Sequence, residues 1–240
     1  MSLSLAVTGW RAGAADAPPP AREREVLAHL TEVAGWYQHV RSLEQGQPTP
    51  GEVRIIAGAL KGRRLEGPRG PGVRPTSDRL RETLFNVLAG RVEGANLLDG
   101  FAGTGAVGIE ALSRGAAQVT FVESDPRAVR LIETNLARCA VRDRYAIIRA
   151  GFADAAHRSS PGLFDLVFLD PPYGPDVIVG TLEAAAPLVA PGGLLILEHA
   201  RRDPAPARVA SFEKTRDINS GDSTLTLYMA APEGDGREEE

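Results

Sequence analysis

A single cysteine, Cys139, stands in 240 residues, so no internal disulfide can form. Only four histidines are scattered along the chain, which leaves a zinc site short of ligands, and no metal is expected. No apolar run reaches the roughly 18–20 residues that cross a bilayer. No basic segment leads into a continuous apolar core at the N-terminus, so neither a membrane span nor a secretory leader is expected. A reducing, cytoplasmic setting fits these absences. What is present is ordinary for a folded protein: 43% hydrophobic and 24% charged residues, with length for one full domain plus extensions.

The net charge of −4 argues at first against a polyanionic partner, but its distribution does not. From Arg54 to Arg91 there are nine basic residues (Arg54, Lys61, Arg63, Arg64, Arg69, Arg74, Arg79, Arg81, Arg91) against three acidic ones (Glu66, Asp78, Glu82). The acidic excess therefore lies elsewhere in the chain. This asymmetry points to a polyanion-binding face, with a solvated surface as the plainer alternative.

Residues 1–50 read as an extension: Pro18-Pro19-Pro20 closes a linker-like stretch, and 22–45 have helical spacing of Val26, Leu27, Leu30 and Val33. Residues 51–92 form a basic segment of a short hairpin and a helix capped by Thr76 or Ser77. Residues 93–231 alternate strand and helix. Strands are expected at 96–101, 118–123, 145–150, 164–170, 193–199, 210–217 and 224–230, and helices at 106–114, 126–139 and 176–189. Apolar runs such as Leu166-Val167-Phe168-Leu169 and Leu194-Leu195-Ile196-Leu197 indicate strands buried on both faces, hence a parallel sheet between helices. The tail 232–240 is acidic and reads as disordered.

After the first of these strands comes Asp99-Gly100-Phe101-Ala102-Gly103-Thr104-Gly105-Ala106-Val107-Gly108. Such glycines permit a tight turn and close approach of backbone to ligand. Gly103, Gly105 and Gly108 match a dinucleotide fingerprint, with Glu123 twenty residues after Gly103, so a nicotinamide cofactor is one reading. Asp99 favours another, because a carboxylate suits a ligand carrying ammonium and sulfonium groups and repels a pyrophosphate. Glu123 would hold ribose hydroxyls in either case. After the third strand, Phe152 and Asp154 fall where an adenine would lie, although Phe152 could equally be core.

Asp170-Pro171-Pro172-Tyr173 follows the fourth strand. The lone pair of an exocyclic amino group is delocalised into its ring, so it attacks a methyl sulfonium only when two acceptors engage its N–H groups. The Asp170 carboxylate and the Pro171 carbonyl supply two acceptors. Pro171 and Pro172 bring no competing N–H, and Tyr173 offers a face on which an unstacked base can lie. These residues indicate methylation of an amino group and leave adenine, guanine and glutamine open.

The chain resembles the RsmD family of bacterial methyltransferases, which methylate guanine N2 in 16S ribosomal RNA. The resemblance spans roughly residues 53–230 and is carried by Arg54 to Gly58, Lys61 to Leu65, Arg74 to Asn86, Asp99 to Gly105, Ala111 to Ala116, Glu123-Ser124-Asp125, Asp170 to Tyr173 and Gly221 to Thr224. The extension of about 50 residues departs from the family pattern. The resemblance implies an α/β, Rossmann-like class I methyltransferase fold: a seven-stranded, mostly parallel sheet with an antiparallel edge hairpin, preceded by a β-hairpin and helix. It also implies S-adenosylmethionine as cofactor, held by Asp99, Phe101, Gly103, Gly105, Glu123, Ser124, Phe152 and Asp170. Arg54, Lys61, Arg63, Arg64, Arg74, Thr76, Arg79 and Arg81 would contact 16S rRNA or the assembling small subunit, and a monomer is expected. An adenine-N6 methyltransferase, an NAD-dependent oxidoreductase and a non-catalytic RNA-binding protein are the alternatives.

Overall fold

The computed structural model describes residues 53–67, 78–172 and 174–231. The expectations for 1–50, for Arg74 and Thr76, for Tyr173 and for the tail 232–240 fall outside the described residues. A two-stranded antiparallel hairpin, β1 (Val53–Arg54) and β2 (Arg64–Leu65), pairs Val53 with Leu65. Helix α1 (Asp78–Val87) follows. Then come β3 (Asn96–Asp99), α2 (Ala106–Ser113), β4 (Gln118–Glu123), α3 (Pro126–Arg138), β5 (Tyr145–Arg149), α4 (Phe152–Arg158), β6 (Phe164–Leu169) and α5 (Pro175–Ala185). The chain closes with β7 (Val189–Ala200), β8 (Arg208–Val209), β9 (Phe212–Ser220) and β10 (Ser223–Ala230).

The main sheet has the order β5-β4-β3-β6-β7-β10-β9-β8. Strands β3 to β7 run parallel, and β8 to β10 form the antiparallel edge. From β3 the chain winds outward to β4 and β5, then returns to place β6 on the other side of β3. The winding therefore reverses between β3 and β6, and the carboxyl ends of those strands open a crevice.

The expected fold class holds, with one difference in the number of strands. The sheet has eight strands, not seven, because Val209 and Phe212 are both buried and draw the two-residue β8 against β9, with Ala210 in the left-handed region between them. Residues 152–158, for which no element was expected, form helix α4, whose Phe152, Ala155 and Ala156 are buried. Among the described residues no helix is long and apolar enough to cross a membrane.

Helix α2 is buried on every side, since the sheet covers one face and the β1–β2 hairpin with α1 covers the other. Its Gly108 is required by packing: a Cβ there would lie 2.2 Å from the Phe121 ring. Glu110, wholly buried, accepts the N–H groups of Ile56 (2.7 Å) and Ala57 (3.0 Å) and pairs with Arg114 (2.8 Å). Ser113 Oγ accepts Leu60 N–H at 2.9 Å and donates to the Ala57 carbonyl at 2.5 Å. The irregular backbone after β1 thus finds its hydrogen-bond partners on α2.

Arg81, expected on the RNA-contacting face, is not there. Its side chain has no exposure, and Nη2 donates to the Arg54 carbonyl (2.9 Å) and to Asp78 (2.6 Å). The expectation fails because α1 uses this position, one residue after Leu80, to fasten the hairpin rather than to face solvent. Arg81→Ala should therefore lower stability by about 2–4 kcal/mol, through a cavity and an orphaned carbonyl. Urea denaturation would show it, and an unchanged midpoint would contradict this role.

Candidate functional site

The loop after β3 is anchored to both neighbouring strands. Gly100 N–H donates to the Phe168 carbonyl of β6 (2.8 Å), and Ala102 N–H to the Val122 carbonyl of β4 (3.0 Å). Asp99 lies beneath the loop, 1% exposed, and accepts Gly108 N–H at 3.0 Å. It therefore ties the loop to the first turn of α2. At the end of β4, Glu123 accepts three backbone N–H groups: Gly103 (2.9 Å), Ser124 (2.7 Å) and Asp125 (2.9 Å). Gly103 has φ +52°, and a Cβ on it would meet only the Phe101 carbonyl, at 4.0 Å, so the outer face of the loop is open.

Phe152 heads α4 just after β5 and is 7% exposed, and its ring stacks on Phe101 with centroids 5.2 Å apart. The core reading of Phe152 holds, and its buried ring borders the loop after β3. Asp170 follows β6 directly, with Pro171 buried and Pro172 exposed. The expected residues Asp99, Phe101, Gly103, Gly105, Glu123, Ser124, Phe152 and Asp170 thus come from the carboxyl ends of β3, β4, β5 and β6.

The electrostatics are set by burial. It pushes the Asp99 carboxyl up to about 7, partly opposed by the Gly108 hydrogen bond and reinforced by the charges of Asp170 and Glu123. Burial likewise pushes Asp170 up to about 6. Asp99 thus feels both other carboxyls, and the three make a negative pole that a cationic ligand would relieve and a pyrophosphate would worsen.

The basic residues Arg54, Lys61, Arg63, Arg64 and Arg79 are exposed. Arg54 also pairs with Asp78 (3.4 Å), and Arg63 donates to the Arg138 carbonyl (3.1 Å). One residue that sequence reasoning missed links this region to the loop after β3. Asn135 of α3, wholly buried, accepts Glu66 N–H (2.7 Å) and donates to the carbonyls of Glu66 (3.0 Å) and Thr104 (2.9 Å). Arg138, one turn on, pairs with the Glu66 carboxylate at 3.0 Å. The available signal was a polar residue on the apolar stripe of an amphipathic helix, between Ile132 and Leu136.

A protein family described as Conserved hypothetical protein 95 matches residues 53–229. Ribosomal RNA small subunit methyltransferase D of Escherichia coli (strain K12) is 34% identical over 187 residues, covering 77% of this chain and 93% of that protein. The putative rRNA methyltransferase YlbH of Bacillus subtilis (strain 168) is 32% identical over 180 residues, covering 73% of this chain and 98% of that protein. Among solved structures, a putative methyltransferase yhhF from Escherichia coli aligns with a TM-score of 0.66 at 33% identity, over 75% of this chain and 98% of that one.

The raised Asp99 carboxyl has a consequence for stability. Asp99 keeps its proton in the folded protein up to about pH 7 but loses it near the ordinary 3.8 when unfolded. Its contribution is therefore complete below about pH 4 and lost as pH rises through 7. Asp99→Asn still accepts the Gly108 N–H and carries no charge. Its stability relative to the parent should climb between about pH 4 and pH 7 and level off above. Urea unfolding across that range would measure this, and a pH-independent difference would refute it.

Proposed function

The chain belongs to the RsmD family of methyltransferases, and on that premise we propose that it transfers a methyl group from S-adenosylmethionine to the exocyclic N2 of a guanine in 16S ribosomal RNA. The observation that carries the reading is the Asp170-Pro171-Pro172 segment standing at the end of β6, beside the glycine loop after β3, where the winding of the sheet reverses. Residues 51–92 are taken as the RNA-contacting segment and 93–231 as the catalytic domain, working on ribosomal RNA in the cytoplasm.

The residues present fit the donor. When bound, S-adenosylmethionine supplies an electrophilic methyl group on a positively charged sulfur. The negative pole of Asp99, Glu123 and Asp170 suits its two cationic groups. Glu123 and the open loop at Gly103 would hold the ribose, and Phe152 with Phe101 would border the adenine. Asp99 acts from below, by fixing the loop to α2, rather than by meeting the donor at the surface.

On the substrate side, the Asp170 carboxylate and the Pro171 carbonyl accept the two N–H groups of the amino nitrogen. That draws its lone pair out of the ring and aligns it for in-line attack. The proton that this nitrogen sheds on methylation would pass to Asp170 or to water. Asp170 acts as a carboxylate, so the reaction needs it ionised. The exposed arginines of the lead-in suit phosphate and unpaired bases.

The deciding assay incubates the protein with radiolabelled donor and small subunits or assembly intermediates lacking the modification, followed by nucleoside digestion and mass spectrometry. N2-methylguanine in 16S RNA is expected. N6-methyladenine, or no transfer in any assembly state, would overturn the reading. Asp170→Ala should cut transfer by about 100-fold or more while weakening donor binding far less. The single-turnover rate of the parent should fall as pH drops through about 6, where Asp170 takes up its proton. If Arg54, Lys61, Arg63, Arg64 and Arg79 each neutralise a phosphate, log affinity for RNA should fall against log salt with a slope of about −3.5 to −4.5. A flat response would exclude this surface as the RNA footprint.

A further inference from the structure

The Asp-Pro-Pro segment specifies an amino group but not the ring that carries it. Adenine and guanine both present an exocyclic NH2, and they differ in the atom beside it. Guanine offers N1–H, a second donor, and adenine offers the bare N1 lone pair. A site that selects guanine needs a second acceptor next to the one that holds the amino group.

The sheet supplies a candidate. Strands β6 and β7 are parallel with Leu169 opposite Leu197, so the residues that follow, Asp170 and Glu198, are lateral neighbours at about the 4.8 Å spacing of adjacent strands. Their faces agree as well. Along β7, Leu194 and Ile196 pack into one half of the core, and Leu195 and Leu197 into the other. This alternation puts Glu198 on the Leu194–Ile196 side. The next residue, His199, takes the opposite side, where Nε2 meets Thr226 Oγ1 at 2.8 Å. On β6 and β3, Leu166, Phe168 and Leu97 belong to the same half of the core as Ile196, and Asp99 and Asp170 continue their alternation. Glu198 is 8% exposed, an acid at the rim of a strand whose preceding four residues are leucine and isoleucine.

Across this rim the order is the donor loop after β3, then Asp170 after β6, then Glu198 on β7. A guanine whose N2 lies against Asp170, with the donor on the β3 side, can turn its N1 toward β7. We propose that Glu198 selects guanine by accepting its N1–H, while Asp170 and the Pro171 carbonyl hold the amino group. This inference deepens the proposed function and rests on it. A carboxylate has about four acceptor positions, so Glu198 can keep a protein partner and still accept from the base. An adenine in the same place would set its N1 lone pair against the carboxylate. Extruded bases are read along this edge, and a buried group left facing the wrong partner is a strong source of rejection.

The test compares substrate RNAs carrying guanine or 2-aminopurine at the modified position, once mass spectrometry has located it. 2-Aminopurine keeps the amino group but replaces N1–H by a lone pair. The parent protein should prefer guanine in kcat/KM by about 10–100-fold. Glu198→Ala should lose most of its rate on guanine and bring the ratio near 1, with donor binding by calorimetry unchanged. Glu198→Gln preserves shape, and its amide can turn to donate, so it should raise transfer to 2-aminopurine as it lowers transfer to guanine. A parent-like ratio in either folded variant overturns the role of Glu198. Absence of transfer to any RNA by the parent would instead overturn the proposed function itself.

Discussion

Everything at the site depends on the parallel register of the central strands. Because β4, β3, β6 and β7 all point the same way, their carboxyl ends finish at one rim. The side chains near those ends, Glu123, Asp99, Asp170 and Glu198, gather there although Asp99 and Glu198 lie 99 positions apart in the chain. Gathering acids in this way is costly. Burial withholds water from Asp99 and Asp170 and raises both carboxyls, and their mutual repulsion adds to the effect on Asp99. The fold offsets part of that cost with backbone N–H groups, one to Asp99 and three to Glu123. The remaining excess of negative potential is a feature that a cationic donor would use.

A second constraint joins the basic lead-in to this rim. Short β1 and β2 cannot hold a hairpin in place by two paired positions alone. Buried polar side chains do it instead: Glu110 and Ser113 from α2 receive the backbone after β1, and Asn135 from α3 grips Glu66 after β2. Asn135 also holds Thr104 in the glycine loop. One amide therefore links the arginine-bearing segment directly to the glycine loop after β3. For an enzyme that must bring a base on a polyanion to a methyl group, the distance between the two determines whether the reacting atoms meet.

These buried groups explain how one segment serves two purposes. Of the basic residues in the lead-in, Arg54, Lys61, Arg63, Arg64 and Arg79 are exposed, whereas Arg81 is wholly buried and fastens the hairpin through Asp78 and the Arg54 carbonyl. Charge content alone made all of them equivalent. On α1 the separation of exposed Arg79 from buried Arg81 comes from helical phase, since Arg81 shares the inward side with Leu80, Leu84 and Phe85.

The amino-acid sequence by itself determined the local elements and the chemistry of the motifs. The buried strands at Leu166–Leu169 and Leu194–Leu197, the glycine loop after Asp99, and the Asp-Pro-Pro segment were legible because periodicity, turn residues and proline act over a few neighbouring positions. Strand β8 and helix α4 were not, since each exists because distant apolar groups cover it: Val209 and Phe212 on the core, Phe152 against Phe101. Three decisions belonged to tertiary structure alone: that Asp99 lies under the loop, that Arg81 faces inward, and that Glu198 stands beside Asp170. Each depends on which strand or helix lies alongside, and sheet order is a relation between segments far apart in the chain, which no local pattern encodes.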